Sequence, residues 1–183
     1  LHLSLRRQRQ MCIRDRLNDA DHTYAKIRFD ETSLDTVERR LTEIEDELTR
    51  AVIWTALWNL TRDGELAAVD YVGGVVKHEA YETNTTLLAT ACANANFAIA
   101  HYIADAELEQ ARTDYAEAIW GHLAEAEPAS DAQLVLARAA IRALAATPEE
   151  SGTERLRTLL NGEVAGLRMD PEIRWSILRA LAA

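Results

Sequence analysis

The sequence predicts an all-α fold in which antiparallel helix hairpins stack on one another, with one short β-strand in front. Three observations carry this reading. Apolar residues recur at three- and four-residue intervals through most of the chain, as one buried face of a helix requires. Capping residues stand where those patterns start and stop. Finally, 183 residues contain only three prolines and seven glycines, too few turn-formers for a many-stranded protein. The length suits one domain with a substantial core.

The strand is expected over Thr23–Phe29, where TYAKIRF alternates. Ala25, Ile27 and Phe29 share one face, and Tyr24, Lys26 and Arg28 share the other. A short helix can begin near Ser33, with Leu34, Val37 and Leu41 at helical spacing. Thr42 and Glu45 have the spacing of a capping box, in which hydroxyl and carboxylate each satisfy a spare N–H at a helix start. Glu43, Glu45, Asp46 and Glu47 would then occupy a first turn, where the helix dipole favours negative charge. From Ala51 to Leu60 the pattern is apolar nearly all round, so this helix is expected to be covered on both sides. Asp63-Gly64 ends it.

Further helices are expected over 66–80, 85–103, 105–126, 131–146, 148–161 and 171–182. Ser130 with Gln133 is a second capping box, Pro148 and Pro171 suit first helical positions, and Asn161-Gly162 is a stop. The core stripe of 131–146 reads as Leu134, Ala137, Ile141 and Leu144. In the last helix it reads as Ile173, Ile177, Leu178 and Leu181, with Trp175 suggesting a second buried side. Alternate helix starts recur every roughly 39 to 46 residues, near the period of HEAT and armadillo pairs, which favours a HEAT/armadillo-like α-superhelix over an irregular bundle.

Charge excludes several functions. A net charge of −10 disfavours nucleic acid and anionic membrane as partners. No apolar run approaches the roughly 20 residues of a membrane span. Cys12 and Cys92 lie far apart and fit no disulfide scaffold, which suits a cytoplasmic location. The first 16 residues break the trend, with five arginines against one acid, Asp15. Within them QMCIRDR is similar to translated sequencing-adapter sequence. Residues 1–17 are therefore expected to be a non-native or disordered segment, and 18–183 a helical domain truncated at its C-terminal end.

A search for catalytic chemistry finds no site: catalytic, cofactor-binding and metal-ligating residues are all expected to be none. A zinc peptidase needs two histidines one helical turn apart with a glutamate as base. The nearest string is His78-Glu79-Ala80-Tyr81-Glu82, where Glu82 stands in place of the second histidine. His78 reads instead as a surface residue near a helix end, and His101 with Asp105 as a weak surface pair. His2, His22 and His122 share no ligand spacing. Cys92, within ATACANA, suits a small core residue better than a reactive thiol. Trp54, Trp58, Trp120 and Trp175 read as core aromatics. No phosphate-binding loop or nucleophile elbow is present.

Three stretches carry a resemblance. YAKIRFD (Tyr24–Asp30) is similar to a strand with the pattern Y-x-[RK]-[VI]-x-[YF]-[DE]. RAVIWTALWNLTRDGEL (Arg50–Leu66) resembles R-A-x-L-x-x-D-A-F-x-L-A-x-x-G-x-L, with Arg50, Ala51, Leu60, Gly64 and Leu66 in register and Trp58 in the aromatic place. It departs from that pattern at Thr55 and Ala56. Glu82-Thr83-Asn84 is similar to the E-T-D that opens a following helix. In this order and spacing they resemble the C-terminal helical (ERAP-like) domain of aminopeptidase N family zinc metallopeptidases, in particular its actinobacterial branch.

The resemblance covers about residues 18–183 and implies a parent hydrolase that uses zinc to remove N-terminal residues from peptides. This domain would cover the active site and limit peptide access, with peptide substrate and the upstream catalytic domain as its partners. Zinc and the catalytic groups would all lie upstream of Asn18. The competing expectation is a free-standing helical-repeat scaffold that binds a protein or peptide partner.

Overall fold

The computed structural model describes residues 26–147 and 150–182. Among them lie eight α-helices and two 3-10 turns, and no strand is formed. The described part of the expected strand, Lys26–Phe29, has no regular hydrogen-bonded structure, and Thr23–Ala25 lie outside the described residues, as does the segment 1–17. The chain divides into two compact units, Leu1–Leu66 and Ala67–Ala183.

In the first unit, helix α1 (Glu31–Arg40) is capped by Asp30, whose carboxylate accepts from the Ser33 N–H at 2.7 Å. Val37 and Leu41 are buried as their spacing predicts. The chain then makes a 3-10 turn, Leu41–Glu43, and Ile44 turns extended. Thr42 is inside that turn, so the Thr42/Glu45 box does not form. The next helix, α2 (Glu47–Arg62), starts later, with Asp46 accepting from the Thr49 N–H at 2.9 Å. Arg50 explains how the link holds its shape: its buried guanidinium donates to the carbonyls of Ile44 at 2.7 Å and Glu45 at 3.0 Å.

Replacing Asp46 with alanine is expected to cost about 1 kcal/mol, the usual value of a helix N-cap. Urea melts of the variant should resolve it, and an unchanged midpoint would return the cap to Thr42.

Helix α2 buries Ile53, Trp54, Ala56, Leu57 and Leu60, as an all-round apolar sequence should. Gly64, at φ 75°, ends it, and the Leu60 carbonyl accepts from the N–H groups of Glu65 at 2.9 Å and Leu66 at 3.2 Å. Asp63 in this turn receives Lys26 at 2.9 Å and Arg28 at 2.6 Å, which tethers the N-terminal segment of the unit.

The second unit contains α3 (Ala68–His78), a 3-10 turn (Glu79–Tyr81), α4 (Thr85–His101), α5 (Asp105–Glu125), α6 (Asp131–Ala145), α7 (Glu150–Leu160) and α8 (Pro171–Ala182). Consecutive partners α3–α4, α5–α6 and α7–α8 pack together, and so do the alternating neighbours α3–α5, α4–α6 and α6–α8. Helix α6 is the centre, in contact with α4, α5, α7 and α8. Four neighbours demand more than one stripe. Besides Ala137, Ile141 and Leu144, α6 buries Leu136, Ala139, Ala140 and Ala143, whose small side chains permit close helix approach. Leu134 is only partly buried, contrary to the expected stripe.

The caps form as the sequence indicates, with one change of partner. Asn84 accepts from the N–H groups of Thr86 and Leu87 at 3.0 and 3.1 Å, while Glu82 accepts from the Asn84 N–H at 3.0 Å. Ser130 accepts from the Gln133 N–H at 3.0 Å, but the Gln133 side chain does not complete the box. It accepts from the Ala129 N–H at 2.9 Å and donates to the Ala165 carbonyl at 2.8 Å. This joins the loop before α6 to the loop before α8. Gly166, at φ 76°, lies against the same place: a Cβ there would stand 2.5 Å from Pro128 Cβ.

Asp170 caps α8 by accepting from the Ile173 N–H at 2.7 Å. The cap of α7 around Pro148 lies outside the described residues. Helix α8 buries Ile173 and Ile177, whereas Trp175 is 64% and Leu178 39% exposed, so those two are surface residues rather than core. No described helix is long and apolar enough to cross a membrane.

Candidate functional site

The second unit holds a cluster of buried polar side chains that sequence spacing does not reveal. Glu79 leaves α3 in the 3-10 turn and points inward, only 1% exposed. His122, from the last turn of α5, approaches it with Nδ1 2.6 Å from Oε1. Cys92, in the middle of α4, donates its thiol to the other oxygen, Oε2, at 3.4 Å. Behind Cys92, the Tyr115 hydroxyl of α5 donates to the Cys92 carbonyl at 3.3 Å, and Asn96 Nδ2 donates to the same carbonyl at 2.9 Å. Side chains of two helices, α4 and α5, therefore converge on one carboxylate of the turn.

The electrostatics follow from burial. Desolvation pushes the Glu79 carboxyl above its ordinary range, opposed by the hydrogen bond and charge of His122. His122 moves up as well, because Glu79 hydrogen-bonds its protonated ring. Burial, then the neighbouring Glu79, raises the Cys92 thiol far out of the reactive range. Burial does the same to the Tyr115 hydroxyl. A buried thiol so held is a poor nucleophile. Among the described residues, no group of three or more His, Cys, Asp and Glu side chains is arranged to hold a metal ion. The cluster ties helices together.

The other singled-out residues are redistributed. His78 is buried at 4% exposure, not on the surface. His101 closes α4 and Asp105 opens α5, so the chain turn between them breaks the one-turn spacing, and His101 stacks on Phe97 with centroids 4.4 Å apart. Of the tryptophans, Trp54 is buried, Trp58 and Trp120 are half-buried, and Trp175 is exposed. Trp120 lies 5.5 Å under the Arg155 guanidinium of α7, which also grips Glu117 of α5 at 2.6 and 2.8 Å.

Two concavities open beside α6. One, of about 530 Å³, lies between α4 and α6 over Ala89, Ala93, Leu134 and Val135. The other, of about 370 Å³, lies between α6 and α8 and is lined by Arg138, Arg142, Arg179 and Glu172 over Ile141 and Ile173.

An all-helical unit, a capped E-T-N entry to α4 and a buried arginine before the D-G stop of α2 together match the C-terminal domain expected from the sequence. The ERAP1-like C-terminal domain family matches residues 16–183, and the chain belongs to this family. Aminopeptidase N of Streptomyces lividans is 39% identical over 169 residues, which cover 91% of this chain and 19% of that protein. The chain thus spans about a fifth of the length of this relative.

Proposed function

We propose that the chain is the C-terminal helical domain of a zinc aminopeptidase of the aminopeptidase N type, where it covers the active site and limits peptide access. The observation that carries this is the 39% identity over nearly the whole chain to a protein called aminopeptidase N. The alternating contacts among α3 to α8 support a HEAT/armadillo-like arrangement, which suits a curved cover. Zinc does not fit the donors among the described residues of this chain. Its nearest set, Glu79, Cys92 and His122, is bonded to itself, and the thiol is held protonated. The metal belongs to residues upstream of Asn18. The reading takes residues 1–17 as foreign to the domain and gives the parent a cytoplasmic location, supported by the free thiol of Cys92.

Two measurements test it. The isolated chain, dialysed and analysed for metal, is expected to hold no stoichiometric zinc and to release no anilide from aminoacyl-anilides. One zinc per chain, or turnover by pure material, overturns this. In the parent, an in-frame H-E-x-x-H upstream of Asn18 is expected, and deleting the domain should alter turnover of long peptides far more than of dipeptides. A start codon near Asn18 instead would make the chain a free-standing scaffold.

A further inference from the structure

Helix α6 presents an outer stripe, Asp131, Leu134, Arg138, Arg142 and Ala145, at the spacing of one helical face. Its first half lines the concavity shared with α4, and its second half lines the one shared with α8. At 1.5 Å per residue this stripe runs for about 21 Å, the reach of six or seven extended residues.

The two halves differ in chemistry. The α4 end is shallow and formed by alanine, threonine, Leu134 and Val135, with Asp131 its one charged group. The α8 end collects three guanidiniums. Arg138 is already engaged, 3.2 Å from Glu172 and 3.9 Å from Asp170. Arg142 and Arg179 line the same groove and form no ion pair with a described residue. Each stands in the last turn of its helix, where the dipole accounts for a positive charge but not for both converging on one cavity. Three guanidiniums in one groove outnumber its one lining carboxylate, Glu172, and on a chain of net charge −10 this is a local exception. A guanidinium fork pairs with carboxylate in two parallel hydrogen bonds. The apolar floor of Ile141 and Ile173 suits the methylenes that carry such a group.

We propose that this face of α6 is a peptide-binding track, with Arg142 and Arg179 taking the side-chain carboxylates of an acidic segment and the α4 end taking small or apolar residues. An extended chain fits the length of the stripe, which a single small anion would leave mostly empty. The proposal deepens the peptidase reading by naming a preferred peptide class, yet it concerns binding by this chain alone, so its test does not depend on any zinc centre.

The probe is a fluorescent heptapeptide, acetylated and amidated so that no terminal carboxylate is present, carrying two adjacent glutamates near one end and alanine and valine elsewhere. Its partner has glutamines in place of the glutamates. Anisotropy titration of the full chain at low salt is expected to show at least tenfold tighter binding of the glutamate peptide. The double variant R142Q/R179Q should lose that preference while its thermal midpoint stays within a degree or two, since both side chains are exposed. Leu134→Lys, at the other end of the track, should weaken both peptides together. Equal binding of the two peptides overturns the proposal, as does retention of the preference by the double variant. If millimolar phosphate or acetate binds through the same arginines while neither peptide does, the groove is an anion site and the peptide track is wrong.

Discussion

Gly166→Ala is expected to be the most damaging single-methyl change in the second unit, costing about 3 kcal/mol and lowering the thermal midpoint by roughly 6 to 12 °C. Two costs combine. At φ 76° any side chain is strained, by about 1–2 kcal/mol for an L-residue in this region. In addition, the new Cβ would meet Pro128 Cβ at 2.5 Å, Pro128 Cα at 2.7 Å and the Ala129 nitrogen at 2.8 Å, and backbone cannot move aside as a flexible side chain can. The control is internal. Gly64 and Gly162 also have positive φ, at 75° and 73°, but a Cβ at either meets nothing within 4 Å. Their alanine variants should show the backbone cost alone. If all three variants lose the same stability by urea melts, the close approach of the two loops contributes nothing.

His122→Ala is expected to cost about 3 kcal/mol at pH 7, because it leaves the Glu79 carboxylate buried with only a thiol as donor. The loss should shrink as pH falls, because a carboxyl raised by burial takes up a proton more readily than an ordinary one. The intact pair has its own pH signature. Glu79 and His122 both bind protons more tightly folded than unfolded. The stability contributed by protonated His122 is therefore fully present below its ordinary value of 6.5 and lost as pH rises through its raised folded value. Among the neighbours that act on the pair, Cys92 and Tyr115 are held protonated, and Glu125 raises His122 further. Glu79→Gln keeps the shape and removes the carboxylate, so its stability should fall less between pH 6.5 and 8.5. Parallel slopes for parent and variant over that range would falsify the assignment.

The helices were most legible where caps and stops announce them locally, although α3 and α5 begin after Ala67 and Ala104 with no side-chain cap. Asp30, Asn84, Ser130 and Asp170 accept from N–H groups two or three residues on, and Gly64 and Gly162 take a conformation that other residues avoid. Local signals also mislead. Thr42 and Glu45 have the right spacing for a cap, but Arg50 pins the carbonyls of Ile44 and Glu45 and moves the start of α2 to Glu47. The burial of α6 was underestimated because amphipathic periodicity assumes one covered face, and this helix has four neighbours. The polar cluster was invisible for a plainer reason: Glu79 and His122 are 43 residues apart, and only the packing of α5 beside α3 brings them together. A carboxylate close behind the apolar run of α3, after Lys77 and His78, was the one available hint.

Cys92 is buried at 2% exposure and bonded to Glu79, and it is the sole free cysteine among the described residues. Its sulfur can meet a reagent only when α4 parts from its neighbours, so alkylation would act as a stopwatch for that parting. With Cys12 replaced by serine, the labelling half-life at increasing reagent concentration would separate rare openings that reclose from openings that persist. A protein that must admit a ligand beside α4 and α6 without loosening its interior should keep that thiol dark throughout.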